Sequence, residues 1–136
     1  MCVRTAQMSF FVPGQPKPER RKRVIAHGRV FHVRAEDVCA WQTVIRMVAE
    51  AMVPKPHPAF PTGAVHLELR FHMPRPKKMR PGKWHIRRPD AGNLAKPVED
   101  ALTGIAYRDD SQIAVLHVSK VYEAPAGVEV SVHALE

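Results

Sequence analysis

Apolar and polar residues alternate along Val65, Leu67, Leu69, Phe71 and Met73, with His66, Glu68, Arg70 and His72 between them. A period of two is that of a strand with one buried face. Val128, Val130 and Val132 repeat the alternation, and Ile113 to Tyr122 reads as a long strand, so Ala124 to Gly127 becomes the hairpin turn that joins the last two strands. Earlier, Ser9 to Val12 reads as a short strand stopped by Pro13-Gly14, and Arg29 to Val33 as another extended piece. Elsewhere the period changes to that of a helix. Val38, Trp41, Ile45, Val48 and Met52 recur at helical spacing from Ala35 to Met52, with Glu36 and Asp37 in the first turn and Pro54, Pro56 and Pro58 as the stop. Asp90 or Ala91 opens a second helix, with Leu94, Val98, Ala101 and Leu102 facing inward and Gly104 ending it. Pro97 removes one hydrogen bond from that helix. The order β, β, α, β, α, β, β predicts an α+β fold: a mixed sheet with both main helices on one face, in a single domain over 1–136 with no internal repeat.

Composition narrows the class. A chain of 136 residues, 45% of them hydrophobic, has the size and apolar content of one folded domain and not of a disordered segment. No apolar run approaches the roughly 20 residues that cross a bilayer, and Met1 to Val12 lacks the plan of a secretory signal, so a soluble cytoplasmic protein is expected. Cys2 and Cys39 form no CxxC motif and suggest neither zinc nor a disulfide framework.

Charge adds a partner. Lys and Arg number 21 against 13 Asp and Glu, a net +8 that favours polyanions. The positive residues are clustered. Lys17, Arg20, Arg21, Lys22 and Arg23 form one block; Arg75, Lys77, Lys78, Arg80, Lys83, Arg87 and Arg88 form another that contains no acid. Prolines run through both, which predicts two extended basic loops suited to a phosphate backbone. Within the second loop, Trp84 reads as an anchor onto the core, with stacking on a base as its other role.

Acids gather elsewhere, at Asp90, Glu99, Asp100, Asp109 and Asp110. Helix capping and surface pairing account for such a cluster; so does a site for a hard divalent cation, which takes carboxylate oxygens. Helical spacing stacks Asp90, Asn93, Lys96 and Asp100 along one side, where Asp109 and Asp110 can close on them from the start of the next strand. The eight histidines show no HxxxH spacing. His66, His72 and His133 fall on polar strand faces, so surface or DNA-facing roles are expected of them ahead of metal ligation. Ser111 has no evident histidine partner for nucleophilic catalysis.

The run Arg88-Pro89-Asp90-Ala91-Gly92-Asn93-Leu94-Ala95-Lys96-Pro97-Val98-Glu99-Asp100-Ala101-Leu102, then Gly104 and Tyr107-Arg108-Asp109-Asp110-Ser111-Gln112-Ile113, closely resembles RusA-type Holliday junction resolvases. Phe10-Phe11-Val12-Pro13-Gly14-Gln15-Pro16 and His72-Met73-Pro74 share the likeness, which thus covers nearly the whole chain. The resemblance implies a homodimeric, Mg²⁺-dependent DNA endonuclease (Mn²⁺ being the alternative ion) of bacterial or phage recombination, nucleoid-associated, that nicks opposite strands of a four-way junction. It carries the family's first metal-binding aspartate onto Asp90, its catalytic lysine onto Lys96 and its later essential aspartate onto Asp110, with Asp100 and Asp109 as further acids of the metal set. The DNA-binding set is then Lys17, Arg20, Arg21, Arg23, Lys77, Lys78, Arg80, Lys83, Arg87 and Arg88.

One position departs from the pattern. Gly92 stands where the family has the second aspartate of its Asp-x-Asp-Asn block and offers no ligand oxygen. An engineered silencing, a natural loss that leaves a junction-binding protein, and a change compensated by Asp100 or Asp109 are the three readings. A junction-specific nuclease and a junction-binding protein of the same fold with little or no catalysis stand in view, with a third reading as a small basic nucleic-acid-binding protein, RNA included, whose acids are merely structural. For a dimer interface, the strand Ile113 to Tyr122 and the first helix with Trp41 are the candidates.

Overall fold

Val65 to Met73 alternates most strictly, and it becomes one of the two interior strands of the main sheet. In the computed structural model, which describes residues 7–135, the elements are β1 (Gln7–Pro13), β2 (Arg21–Ala26), β3 (Arg29–Arg34), α1 (Glu36–Met52), β4 (Val65–Met73), α2 (Ala91–Leu102), β5 (Ile113–Tyr122) and β6 (Gly127–Ala134). Cys2 lies outside the described residues, and Cys39 is an exposed free thiol. The main sheet runs β1-β6-β4-β5, with β4 parallel to β5 and antiparallel to β6; β2 and β3 form a separate two-stranded ribbon. The fold is α+β with a mixed sheet, as the pattern predicts.

Two expectations about the strands need correction. β5 and β6 are consecutive yet not paired, so the 124–127 segment is no hairpin turn: it carries the chain past β4, which lies between them. Alternation reports which face of a strand is buried but not which strand lies beside it, so pairing order was hidden. The second correction is β2, a strand within a segment expected to be loop. Its ribbon turns at His27-Gly28, both with positive φ (52° and 70°), the geometry of a two-residue hairpin turn. Arg21, Lys22 and Arg23 obscured it, because on a ribbon away from the core neither face needs an apolar period.

One core unites the sheet with both helices. Leu67, Leu69 and Phe71 of β4, Val128, Val130 and Val132 of β6, Ile45 and Ala49 of α1, and Leu94, Val98 and Leu102 of α2 are all buried in it. Each of the Val, Leu, Ile and Phe side chains contributes roughly 1.5–3 kcal/mol on removal from water. Trp41 belongs to the same core, 4% exposed, which removes it from the candidate interfaces, whereas Met52, the last of the helically spaced apolar residues, is exposed. Trp84 reverses the other way. Its backbone bridges Val121 but the residue is 62% exposed, so it is not an anchor onto the core.

The opposite face of the sheet carries the polar set: His66, Glu68, Arg70 and His72 on β4, His117 on β5, and Glu129, Ser131 and His133 on β6. Among the described residues, no helix is long and apolar enough to cross a membrane.

Candidate active site

Asp90 is the N-cap of α2. Its Oδ1 accepts the Asn93 backbone N–H at 2.8 Å and its Oδ2 accepts Asn93 Nδ2 at 3.3 Å, so the carboxylate sits at the positive end of the helix. Two turns on, Lys96 Nζ lies 3.6 Å from Asp100 Oδ1 and 3.5 Å from Asp110 Oδ2. Asp110 reaches it from the short 3₁₀ turn Asp110–Gln112, which leads directly into β5. Asp100 first, then Asp110, holds the Lys96 ammonium above its ordinary pKa, so Lys96 is a fixed positive charge.

The remaining acids differ in their engagement. Asp100 accepts Arg34 Nη2 at 2.6 Å, and the same guanidinium grips Glu19 through Nε (2.9 Å) and Nη2 (2.5 Å). This bond to Arg34 holds Glu19 below the usual carboxylate range. Asp109 caps the 3₁₀ turn, accepting the Ser111 backbone N–H at 3.1 Å as well as the Ser111 hydroxyl, and these bonds lower its pKa. Gln112 completes the box: its Oε1 accepts the N–H groups of Arg108 and Asp109, and its Nε2 donates to the carbonyls of Phe60 and Gly63. Asp100 and Asp109 are thus engaged by the protein itself. Glu99 is half-buried, and burial raises its pKa, opposed by Lys96. Beneath it Tyr107, fully buried, donates its hydroxyl to the Glu99 carbonyl at 2.7 Å.

Gly92 lies in the first turn of α2. A Cβ there would meet Asp90 Oδ1 at 3.9 Å and nothing nearer, so a side chain fits without displacing a neighbour.

Both basic segments reach this helix mouth. Pro18, Glu19 and Arg20 on one wall, with Arg88, Pro89, Asp90 and Asn93 on the other, line a cleft of about 510 Å³. Lys120 of β5 holds the second segment in place, donating to the carbonyls of Arg87 and Pro89 at 2.7 Å each, while Gly82 and His85 bond to the outer edge of β5 through their backbones. The two segments differ in free charge. Arg20 is paired with Asp37 (2.5 Å) and Lys22 with Glu36 (3.0 Å), both first-turn acids of α1; Arg21 donates weakly to the His32 carbonyl (3.5 Å), Arg23 is exposed, and Lys17 is half-buried. By contrast, Lys77, Lys78, Arg80, Lys83, Arg87 and Arg88 are exposed and carry no ion pair among the described residues.

Sequence reasoning missed Arg34, Glu19 and Lys120, which tie the cluster together. Arg34 stands 66 positions from Asp100 and Lys120 31 from Pro89, so no local pattern links them. Glu99 was legible as one of the clustered acids, but its burial was not.

Asp90 at the N-cap of α2 and Asp110 just before β5 each offer carboxylate oxygens, the donor type that a hard cation such as Mg²⁺ takes. The chain is 32% identical over 137 residues to the Uncharacterized protein YqaN of Bacillus subtilis (strain 168), covering 92% of this chain and 94% of that one. It is 33% identical over 86 residues to the Crossover junction endodeoxyribonuclease rusA of Lactococcus phage r1t, covering 62% of this chain and 66% of the phage protein. The sequence profile of Endodeoxyribonuclease RusA matches residues 13–133, nearly the whole chain, and so the protein belongs to the RusA endodeoxyribonuclease family.

Proposed function

We propose that this protein binds four-way DNA junctions and hydrolyses their phosphodiesters with Mg²⁺ (or Mn²⁺) held by Asp90 and Asp110. The observation that carries the reading is the cleft at the mouth of α2, lined by Asp90, Asn93 and both basic segments, with the Lys96–Asp110 pair further along the same helix, in a chain of this family. A divalent cation bound there supplies Lewis acidity to the scissile phosphate and to a water nucleophile.

The chain's own groups do the rest. The exposed cations of the second basic segment hold the DNA backbone, and their charge gives affinity without sequence preference. Asn93 holds the Asp90 carboxylate in one orientation. Lys96 stays protonated and offsets negative charge that develops on the phosphate and the departing oxygen. Exposed Trp84 and Ile86 give the basic segment apolar surface that can stack against unpaired bases at the branch point. Two symmetric nicks require two sites related by a two-fold axis, so the working unit is a homodimer. The first half of β5's outer edge, unpaired among the described residues and carrying exposed Val115 and Leu116, is the surface proposed for it.

A second reading concerns rate. Gly92 contributes no oxygen, and the acids that could compensate, Asp100 and Asp109, are taken up by Arg34, Lys96 and Ser111. Tight junction binding with slow cleavage follows.

The test is nicking of a synthetic four-way junction with Mg²⁺, beside a gel shift without metal. Asp110→Asn should abolish cleavage and leave junction binding intact. Equal binding to junction, duplex and single strand, or cleavage unchanged by Asp110→Asn, would overturn the proposal.

A further inference from the structure

On the sheet face opposite the helices, three histidines and a glutamate converge from three strands. His66 and Glu68 lie on β4, His117 is in register with Glu68 on β5, and His133 is in register with His66 on β6. Donor atoms of His66, Glu68 and His117 all lie within 4.8 Å of one another. The His66 ring meets that of His117 edge-on at 4.6 Å and that of His133 at 4.4 Å.

The bonding at His66 is incomplete in an informative way. Its Nδ1 is 3.2 Å from His133 Nε2, whereas its Nε2 is buried with no hydrogen-bond partner. A buried ring nitrogen without a partner is costly unless something occupies it. If His66 Nδ1–H donates to His133, the lone pair of Nε2 is left free, which is the tautomer and arrangement of a ligating histidine whose other nitrogen is held by a neighbour.

We infer that His66, Glu68 and His117 form a binding site for a divalent transition cation of the Zn²⁺, Co²⁺ and Ni²⁺ class, with His133 as the residue that orients His66. Two imidazoles and one carboxylate suit these ions, and such a set discriminates against Mg²⁺, which prefers oxygen. Donors about 2.1 Å from one ion stand roughly 3.4 Å apart, so side-chain shifts of about 1 Å close the site. The site is distinct from Asp90 and Asp110. His66 and Glu68 alternate with the core residues Leu67 and Leu69 and so point away from the helices. Because its ligands come from β4 and β5, a bound ion clips the sheet's one parallel pair together and adds stability without touching phosphodiester chemistry.

Co²⁺ is the probe, read by its visible absorption on titration into chelator-stripped protein, with Zn²⁺ as competitor and melting temperature as a second readout. One equivalent of Co²⁺ should bind, Zn²⁺ should displace it, and the melting temperature should rise. His117 and Glu68 are exposed, so His117→Ala and Glu68→Gln should keep the fold by circular dichroism yet weaken binding at least tenfold; His133→Phe should weaken it about 10- to 100-fold. The double variant Asp90→Asn with Asp110→Asn should bind Co²⁺ as well as the parent. Absence of a Co²⁺ spectrum, undiminished binding by folded His117→Ala, or binding lost only in the Asp90/Asp110 variant would each overturn the assignment.

Discussion

The Glu19 backbone N–H donates to the Asn93 carbonyl at 2.7 Å, the acceptor that Pro97 leaves without a helical donor. A proline at position i deprives the carbonyl at i−4 of its partner, and an unmatched acceptor there would weaken the helix. Here the gap becomes an anchor: the segment that carries Arg20 and Arg21 is bonded to the first turn of the helix that Asp90 caps. The Arg34 guanidinium ties the same two parts a second time, through Glu19 and Asp100.

Arg34→Met should therefore loosen this junction, with a loss of about 2 kcal/mol, between the values for exposed and buried pairs, since Glu19 is left without a partner and Asp100 with Lys96 alone. The pH dependence has a defined sign. The Glu19 pKa is depressed below 4.5 in the folded protein, so its contribution is present above that value and is lost as pH falls through the lower folded value. Denaturant unfolding of parent and variant at about pH 6 and about pH 3 should show the difference shrinking at the acid end. A difference that stayed constant would place the role of Arg34 elsewhere.

Gly92→Asp should raise the nicking rate on the order of 10²-fold, the scale of one well-placed charge-stabilising group. The added side chain has room, starts 3.9 Å from Asp90 Oδ1 and lies at the helix N-terminus, where a negative charge is favoured. A Mg²⁺ titration of nicking by both proteins at equal concentration provides the check. Equal rates with the same metal midpoint would show that the ligand set is complete without it.

Alanine at both Arg87 and Arg88 should weaken junction binding regardless of sequence. Each phosphate contact contributes about 0.9 to the slope of log affinity against log salt, so the slope should become shallower by about 2. Gel shifts across a salt series measure it. An unchanged slope would remove these residues from the DNA interface.

Gly127→Ala should destabilise the fold by about 3 kcal/mol, at the upper end for overpacking. A Cβ there would stand 2.3 Å from the Val12 carbonyl oxygen and 2.4 Å from the Phe11 ring, so β1 would have to move off β6. Chemical denaturation is the assay, and a loss below about 1 kcal/mol would mean that β1 accommodates the methyl.

Sequence alone determined what local repetition can encode. The alternation of β4 and β6, the helical spacing of α1 and α2, Asp90 at a helix start and the proximity of Lys96 to Asp100 all follow from residues a few positions apart, where backbone geometry dictates which side chains share a face. The motif blocks likewise identified the family before any coordinates. Tertiary structure decided the rest. That β6 pairs with β4 and not β5, that Trp41 is core while Trp84 is exposed, that Arg34 holds Asp100, and that His66, His117 and His133 meet are all consequences of how distant elements are placed against one another. Periodicity specifies the buried face of each element but carries no information on which distant element will cover it or lie beside it, because that depends on how all the buried faces pack together at once.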